Sequence, residues 1–425
     1  MAASTRPPTF FFFRHAALRR FVAVLLLGAG LPLQALAAWV AAWAAAPQNF
    51  AELAASPGVN AAGLEIEGTV RQRIVPTLDG PRVRVRFSNV FGKRPLVVAG
   101  ASVALSAGAD GIEPATLQPL RFGGHAEVTV PAGREVWSDG APLRVQAGQA
   151  VAVSFELPRE TAVSTVHRLP LNGTWMAPGR WASAAKLDGA QRSPYNYFVT
   201  GLDVDAPLEG RAVVAFGDSI TEGSGADGDP APARYPQWLA RRVQESAGAG
   251  GGAVAVVNAG IGGNRLLADR SGPSGLERFE RDVLGQSGVS HVLILIGVND
   301  IGYGTFAGIL PNVMAPSAEQ LATGLQSLVD RAHARGVKVL LGTLLPFKGA
   351  GYWNNGNEAK RQTLNTWIRS QRAADGVVDF DAALRDAADP QSLNAAYDSG
   401  DHLHPNPAGA AAMARAVDLK LLGRQ

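Results

Sequence analysis

Residues 212–221 read Ala-Val-Val-Ala-Phe-Gly-Asp-Ser-Ile-Thr, an apolar run that ends in a glycine and polar residues. Three more unalternated apolar runs follow, at 254–257, 292–296 and 337–341. Such runs are typical of parallel strands that are covered on both faces. Helical patterns lie between and after them, and we predict helices at 235–245, 276–284, 317–335, 358–374 and 407–422. This alternation predicts an open, three-layer α/β/α parallel sheet with right-handed crossovers.

The chain before this region follows a different pattern. Residues 82–87, Arg-Val-Arg-Val-Arg-Phe, place apolar side chains on one face and three arginines on the other, as in a half-buried strand. The runs at 97–105, 126–130 and 150–157 continue the pattern, with glycine- and proline-containing turns between them. Several short strands without a convincing helix predict an antiparallel β-sandwich. Its arginine face either meets solvent or packs against the second domain.

The first 37 residues form a third segment. They contain four arginines and no acid, an apolar run at 21–33 and the small-residue site Ala35-Leu36-Ala37. This is the pattern of an export signal, and we expect cleavage after Ala37. The apolar run is shorter than the roughly 20 residues that a spanning helix needs, so no stable membrane insertion is expected after cleavage. We therefore predict a signal peptide at 1–37, a β-sandwich domain at 38–208 and a catalytic domain at 209–425, in a secreted or periplasmic protein exported by the Sec or the twin-arginine route.

Composition and charge exclude several classes of protein. The chain has 425 residues, of which 47% are hydrophobic and 18% charged, and this is not the composition of a disordered protein. It has no cysteine, which excludes disulfides, zinc–cysteine sites and a thiol nucleophile. The 39 Lys and Arg against 36 Asp and Glu give a net charge of +3, and removing the four arginines of the first 37 residues leaves 3 − 4 = −1. A nearly neutral mature chain does not support nucleic-acid binding.

Polar segments follow the predicted strands, at the edge where an open α/β sheet binds ligands. Three of them, 217–221, 258–264 and 297–300, directly follow predicted strands. A fourth polar segment, 401–405, lies just before the last predicted helix. Ser219 lies at a glycine-flanked strand-to-helix turn and is the candidate nucleophile, which needs an imidazole to take its proton and an acid to fix that imidazole. Of the seven histidines, only His402 and His404 lie in a polar turn beside an acid, Asp401. The spacing lets Asp401 reach Nδ1 of His404 while Nε2 faces Ser219, so we favour His404 as the base and His402 as a support of the turn.

Attack on an ester carbonyl creates an oxyanion, which needs hydrogen-bond donors that are already in place. The donors implied are the Ser219 N–H, a glycine N–H in the segment 258–264 and the side-chain amide of Asn299. Glycine suits the second position because the backbone must approach the substrate closely, without a Cβ. Gly260, Gly262 and Gly263 compete for that role.

Taken together, the four polar segments resemble the four sequence blocks of the SGNH (GDSL-type) hydrolase family, in the same order. The resemblance implies an SGNH/flavodoxin-like fold, with Ser219 as nucleophile, Asp401 and His404 as acid and base, and Gly263 and Asn299 as oxyanion donors. Segments 39–43 and 84–92 also resemble the N-terminal sandwich region of a secreted bacterial subgroup of these esterases. Family members cleave acyl esters of carbohydrates, lipids or small aryl alcohols without a metal, so the expected partner is a small-molecule or carbohydrate acyl ester.

Three other features have simpler interpretations. Residues 223–228 have the letters of a dinucleotide fingerprint but start seven residues after the strand, so we expect no nucleotide. Asp300 has no cluster of ligand-spaced His or Asp around it and is predicted to be a solvated supporting carboxylate, so we expect no metal and no other cofactor. The loop after 337–341 carries Phe347, Tyr352 and Trp353. Either these aromatics fill the core, or Tyr352 or Trp353 walls the acyl or sugar pocket.

The sequence thus predicts a serine esterase that acts through a covalent acyl-enzyme on short-chain or acetyl esters. Two other functions stay open. The same residues could pass the acyl group to a sugar hydroxyl, as in an O-acetyltransferase, or the chain could be a non-catalytic glycan-binding protein. The acyl group, the alcohol and the oligomeric state are not fixed by the sequence.

Overall fold

The first part of the chain is built from antiparallel strands. The computed structural model describes residues 38–54, 64–168, 172–225, 234–246, 253–306, 313 and 315–423, so the predicted export signal at 1–37 lies outside the described residues. The strands are β1 (Ala38–Ala44), β2 (Gln48–Asn49), β3 (Glu65–Ile74), β4 (Val83–Ser88), β5 (Leu96–Val98), β6 (Gly100–Leu105), β7 (Gln118–Pro119), β8 (Val128–Val130), β9 (Glu135–Trp137), β10 (Val151–Ala162), β11 (Thr165–His167), β12 (Thr174–Ala177), β13 (Gln191–Ser193), β14 (Asn196–Tyr197) and β15 (Val199–Ala206).

These strands pair into several small sheets. One has the order β1-β15-β4-β9, another β13-β12-β3-β10-β6-β7, a third β14-β11-β2, and β5 pairs with β8. All these strands pair antiparallel, which confirms the antiparallel pairing predicted for this part of the chain. The short helix α1 (Phe50–Ala54) and a 3-10 turn at Pro114–Thr116 are additions that the sequence pattern did not indicate. The arrangement of these sheets as a sandwich stays a prediction.

Strand β4 shows how the alternating pattern is used. Its three apolar side chains are fully buried. On its other face the Arg84 guanidinium lies between two indole rings, 4.9 Å from the centroid of Trp39 and 4.4 Å from that of Trp137. Arg84 also donates hydrogen bonds to Asp203 at 2.7 Å and to Ser287 Oγ, in the second half of the chain, at 3.0 Å. At Arg84 the arginine face therefore packs against the rest of the protein.

The second half of the chain forms a parallel sheet flanked by helices. Its strands are β16 (Arg211–Gly217), β17 (Val254–Gly260), β18 (Val289–Leu295), β19 (Lys338–Gly342) and β20 (Gly376–Val378). Its helices are α2 (Ser219–Glu222), α3 (Tyr235–Ser246), α4 (Gly275–Phe279), α5 (Val298–Tyr303), α6 (Ala318–His333), α7 (Asn355–Ser370), α8 (Phe380–Leu384) and α9 (Pro407–Ala416). A π-helical turn at Glu280–Leu284 and 3-10 turns at Gly304–Phe306 and Leu419–Leu422 complete the described elements.

The strand order β17-β16-β18-β19-β20 gives this sheet its layers and its binding edge. All its strands pair in parallel. Because β17 lies on one side of β16 and β18 on the other, right-handed crossovers put α3 on one face and α6 and α7 on the opposite face. The predicted three-layer α/β/α sheet is confirmed. Ligands of such sheets bind at the carboxyl ends of the strands beside the point where the order reverses, which here is where β16 and β18 end.

Some predicted boundaries differ from the observed ones for local reasons. The helix predicted at 358–374 begins earlier, because the Asn354 side chain caps it by accepting a hydrogen bond from the Asn357 N–H at 2.9 Å. The helix predicted at 407–422 ends at Ala416 and is followed by the 3-10 turn. Strand β20 has only three residues and gave no pattern to detect. No described helix is long and apolar enough to cross a membrane.

The antiparallel region covers the open edge of the parallel sheet at β17. The Thr77 hydroxyl donates to the Val256 carbonyl at 2.9 Å and accepts from the Val256 N–H at 3.2 Å. The Ala41 N–H donates to the Ser287 carbonyl at 2.9 Å. One hydrophobic cluster runs through both regions, and the change from antiparallel to parallel pairing falls between β15 and β16. A division into domains at 38–208 and 209–425 stays a proposal, since the two regions share their core.

Candidate active site

The candidate nucleophile lies on a tight turn between β16 and α2. Ser219 is the first residue of α2, and the Asp218 side chain caps the helix by accepting a hydrogen bond from the Ile220 N–H at 3.0 Å. Gly217 ends the strand, and a Cβ at this position would overlap the Leu295 carbonyl oxygen on β18. The Ser219 N–H has no acceptor among the described residues. The turn between the end of β16 and the start of α2 therefore leaves both the hydroxyl and the backbone N–H of Ser219 available in the cleft.

The structure brings the predicted base and acid to this serine. Ser219 Oγ lies 2.8 Å from His404 Nε2, and His404 Nδ1 lies 2.5 Å from Asp401 Oδ2. The other oxygen of Asp401 accepts the N–H groups of Leu403 and His404 at 2.9 and 2.8 Å. Partial burial opposes ionisation of Asp401, but these hydrogen bonds outweigh it and lower the pKa of the carboxyl to about 2. Asp401 is therefore ionised at neutral pH and fixes the ring with Nδ1–H towards itself.

The neighbouring His402 has a different environment. Its Nδ1 lies 2.6 Å from Asp398 Oδ2, and its N–H donates to the other oxygen of Asp398 at 3.0 Å. Its backbone φ is +62°, a left-handed conformation that these contacts hold in place. The ring belongs to the turn and makes no hydrogen bond with Ser219.

The structure separates the three glycines that compete for the oxyanion role. The Gly260 N–H donates to Asn258 Oδ1 at 2.8 Å, and a Cβ on Gly260 would overlap the backbone of α2. Gly260 therefore allows close packing, and its N–H is already bonded. Gly262 and Gly263 both line the cleft beside Ser219, and their N–H groups have no acceptor among the described residues. Gly263 has a φ of +74°, a left-handed conformation that glycine adopts without steric strain because it lacks a Cβ.

The Asn299 side chain is held by hydrogen bonds at both ends of its amide. Its Nδ2 donates to the Asn264 carbonyl at 3.1 Å, and its Oδ1 accepts from the Tyr352 hydroxyl at 3.2 Å. A flipped amide would set its oxygen against the Asn264 carbonyl, so the orientation is fixed by two partners. The second Nδ2 hydrogen is free to meet a group in the cleft, which Asn299 lines. Burial and the neighbouring Tyr303 raise the pKa of Tyr352, so its hydroxyl stays a donor.

These side chains line one cleft of about 260 Å³. Its lining residues are Gln48, Arg168, Ser219, Glu222, Ser224, Gly262, Gly263, Ser271, Asn299, Tyr303, Tyr352, Leu403 and His404. Of the two aromatic residues considered for the pocket wall, Tyr352 lines the cleft. Trp353 is not one of the residues that line it, and its ring N–H is buried. Phe347 is also fully buried in the core.

Arg278 is a central residue that the sequence did not single out. Its guanidinium is buried and donates to the carbonyls of Gly217 at 2.7 Å and Ala259 at 2.8 Å, at the ends of β16 and β17. It also donates to Asn264 Oδ1 at 2.9 Å, and Asp282 lies 3.1 Å away as its counter-ion. Arg278 thus joins the nucleophile turn to the glycine loop. A buried arginine on α4 gives no signal in a sequence, because its partners are backbone carbonyls elsewhere in the chain.

A second unpredicted contact links the antiparallel region to α2. His167 Nδ1 donates to the Ala46 carbonyl at 2.9 Å, and His167 Nε2 lies 3.3 Å from Glu222 Oε1. Burial, with nearby Arg234 and Arg278, lowers the pKa of His167 to about 4, so the ring is neutral at physiological pH. His167 belongs to the β-rich region of the sequence, and no sequence signal predicted its contact with Glu222 of α2.

Two buried aspartates flank the nucleophile turn. Burial raises the pKa of Asp218 to about 7 and that of Asp300 to about 6, although backbone N–H groups oppose the shift in both. Asp300 was expected to be solvated, but it is 2% exposed and accepts the N–H groups of Leu266 and Leu267 at 2.7 and 3.0 Å. It therefore anchors the loop after β17. Within the described part of the chain, no group of three His, Cys, Asp or Glu side chains is arranged to hold a metal ion.

Comparison with known proteins identifies a family whose model matches this part of the chain. Residues 215–412 match the model of the GDSL-like Lipase/Acylhydrolase family. No curated protein matches the chain. Among solved structures, an acetylxylan esterase from Geobacillus stearothermophilus is 23% identical, with a TM-score of 0.39, over 51% of this chain and 95% of its own. An alpha/beta hydrolase enzyme from the metagenome of Lake Arreo, Spain, is 22% identical, with a TM-score of 0.37, over 50% of this chain and 95% of its own.

The family match carries the assignment, and it confirms the resemblance of the four polar segments to this family. The resemblance of segments 39–43 and 84–92 to a secreted subgroup stays a prediction. The matched range contains all four polar segments and the parallel sheet from within β16 to within α9. Residues 215–412 are therefore a domain of the GDSL-like lipase/acylhydrolase family, and the chain is a carboxylic ester hydrolase.

Proposed function

We propose that this protein is a serine esterase that cleaves short-chain acyl esters through a covalent acyl-enzyme. The observation that carries the proposal is the 2.8 Å contact between Ser219 Oγ and His404 Nε2, with Asp401 on the opposite nitrogen of the ring. A serine hydroxyl becomes an effective nucleophile when a fixed, neutral imidazole can take its proton.

The reaction follows from these positions. Ser219 Oγ attacks the ester carbonyl and its proton passes to His404 Nε2, while ionised Asp401 stabilises the imidazolium that forms. The alcohol then leaves with that proton, and an acyl group remains on Ser219. Water attacks the acyl-enzyme with His404 as base, and the acid is released as the Ser219 hydroxyl is restored.

The oxyanion of each tetrahedral intermediate needs donors that are free and fixed. We assign this role to the N–H groups of Ser219 and Gly263 and to Asn299 Nδ2. Among the described residues no acceptor competes for the two backbone N–H groups, and this supports the assignment, as does the double restraint on Asn299. Gly262 is the alternative backbone donor, since it lines the same cleft.

The cleft favours a short acyl group. Its walls contain one aliphatic side chain, Leu403, and two aromatic ones, Tyr303 and Tyr352, and the other lining side chains are polar or absent. An acyl chain of many carbons would have to bury its methylene groups at about 0.8 kcal/mol each, and the described walls offer little apolar surface for this. A polar alcohol such as a sugar fits the remaining polar lining.

The experiment compares wild type with Ser219→Ala on 4-nitrophenyl acetate and on longer acyl esters. We expect loss of turnover in the variant, unchanged folding by circular dichroism, and a steep fall of wild-type activity with acyl length. A fluorophosphonate should label one peptide of the wild type, the one that contains residue 219. Retained turnover or labelling elsewhere would refute the assignment, and product analysis with an acceptor glycan separates hydrolysis from acyl transfer.

The leader at 1–37 completes the proposal. Its arginines, apolar run and small-residue site support export to a secreted or periplasmic location, and the absence of cysteine means that the exported chain relies on core packing for stability. N-terminal sequencing of the exported protein tests this, with a mature end at residue 38 as the expected result.

A further inference from the structure

Part of the catalytic cleft is built by the antiparallel region. Gln48, in β2, and Arg168, directly after β11, line the same cleft as Ser219. Strands β2 and β11 pair with each other, with Val166 opposite Gln48. The antiparallel region therefore contributes to the surface that a bound ester would touch.

The backbone at Arg168 is fixed to the catalytic half of the chain. Gln48 is fully buried, and its Oε1 accepts the Arg168 N–H at 3.0 Å. Its Nε2 donates to the Ser271 carbonyl at 2.9 Å. Ser271 packs against Gly263, since a Cβ on that glycine would lie 2.7 Å from Ser271 Oγ. One buried glutamine thus connects the Arg168 backbone to Ser271, which packs against Gly263, the proposed backbone oxyanion donor.

The Arg168 side chain is exposed and has no carboxylate partner among the described residues. The buried Arg278, by contrast, is paired with Asp282 at 3.1 Å. Glu222 is the other acidic or basic side chain that lines the cleft outside the catalytic pair, but it is 1% exposed and faces His167. The charge that a ligand can reach at this wall is therefore positive.

A second guanidinium lies near the cleft. Arg270 is exposed and lies 5.0 Å from the ring centroid of Tyr303, which is one of the lining residues. It adds positive potential on the side of the cleft that Tyr303 forms. Charges of one sign along a cleft attract ligands of the opposite sign.

We propose that Arg168 forms an anion subsite that selects esters whose alcohol portion carries a carboxylate near the scissile bond. This inference rests on the proposed esterase function and names its substrate class. A guanidinium can donate two parallel N–H bonds to a carboxylate. A short acyl group ends inside the cleft, so a charged group that reaches an exposed arginine belongs to the alcohol portion, which extends towards solvent.

A matched pair of probes tests the subsite. 4-Acetoxybenzoate carries a carboxylate on its leaving group, and its methyl ester is the neutral counterpart, with the same acetyl group. The measured quantity is the ratio of kcat/KM for the anionic probe to that for the neutral probe. Taking the ratio within each variant removes effects of folding yield, and comparing the ratios across variants removes the intrinsic reactivity difference of the two leaving groups.

We expect Arg168→Gln to lower this ratio about tenfold, which corresponds to about 1.4 kcal/mol. Arg168→Lys keeps the charge and should retain most of the preference. Arg144→Gln, an exposed arginine outside the cleft, is the control and should leave the ratio unchanged. Added salt should lower the wild-type ratio and have little effect on that of Arg168→Gln, because screening acts on the charge pair.

An unchanged ratio in Arg168→Gln, or an equal fall in Arg144→Gln, would overturn the anion subsite while the esterase proposal stands. If Ser219→Ala still hydrolyses both probes, the proposed function itself fails. The meta isomer, 3-acetoxybenzoate, gives a further check. If the subsite has a fixed position, the ratio of kcat/KM for the two isomers should differ between wild type and Arg168→Gln, and an identical ratio in both would count against it.

Discussion

Replacement of Tyr352 by phenylalanine removes one hydroxyl and keeps the ring that lines the cleft. That hydroxyl donates to Asn299 Oδ1 at 3.2 Å, while the Asn264 carbonyl accepts from Asn299 Nδ2 at 3.1 Å. The substitution therefore leaves the amide with one restraint instead of two and leaves Oδ1 without its donor. If Asn299 stabilises the oxyanion, its alignment should suffer while substrate binding changes little.

The size of the effect has two bounds. Complete loss of one oxyanion donor costs about 10²–10³ in kcat, which is the expectation for Asn299→Ala. Loss of one neutral hydrogen bond costs about 0.5–1.5 kcal/mol, or roughly two- to tenfold. Because the Asn264 carbonyl still holds the amide, we expect Tyr352→Phe to lower kcat about tenfold, with KM nearly unchanged.

The assay is steady-state hydrolysis of 4-nitrophenyl acetate by wild type, both single variants and the double variant. Since Tyr352 acts through Asn299, the double variant should be no slower than Asn299→Ala alone. Tyr195→Phe is the matched control, because that ring packs edge-on against Phe50 in the antiparallel region and does not line the cleft. Losses that multiply in the double variant, or a change confined to KM, would refute this reasoning.

Two further predictions concern stability. Arg278→Met removes one of the two arginines that pair with the buried Asp282 and takes the Arg278 donor from the carbonyls of Gly217 and Ala259 and from Asn264 Oδ1, so it should reduce the free energy of unfolding by about 3–5 kcal/mol in urea titrations. Arg335→Met, which breaks an exposed pair with Glu280, should cost less than about 1 kcal/mol. Similar losses in both variants would contradict the role given to the buried arginine. Burial raises the pKa of Asp218 from 3.8 to about 7. Between pH 4 and 7 the folded protein therefore keeps a proton on Asp218 that the unfolded chain has released. The stability that this proton contributes is complete below about pH 4 and is lost as the pH rises through 7. Asp218→Asn should therefore make unfolding free energies less dependent on pH between 4 and 7, and an unaltered pH dependence would show that the carboxyl does not titrate there.

The catalytic half of the fold could be predicted from the sequence because its signals are local. Unalternated runs marked the first four parallel strands, and the helices between them followed from their period. The same patterns did not reveal β20, which has three residues, and they placed helix ends too far along the chain, at 374 instead of 370 and at 422 instead of 416. These errors occur where an element is too short to show a period or where a cap sets the boundary.

The candidate site could be predicted in part for a related reason. Ser219 and Asn299 lie in the first turns of α2 and α5, just after β16 and β18, and the carboxyl ends of parallel strands meet at one edge. Asp401 and His404 lie in the polar turn shortly before α9. The sequence alone could not choose among the glycines of the second segment. That choice depends on which N–H is already bonded, and the Gly260 N–H is bonded to Asn258 Oδ1.

By itself, the sequence determined the class of the sheet, the type of chemistry and the residues that could perform it, because period, capping and turn preferences are properties of neighbouring residues. Only the tertiary structure decided that Gln48 and Arg168 share the cleft with Ser219, that Arg278 joins two strand ends, and that Tyr352 rather than Trp353 meets Asn299. These contacts join residues that are far apart in the chain, and they depend on how side chains of separate elements pack. No local pattern records that packing.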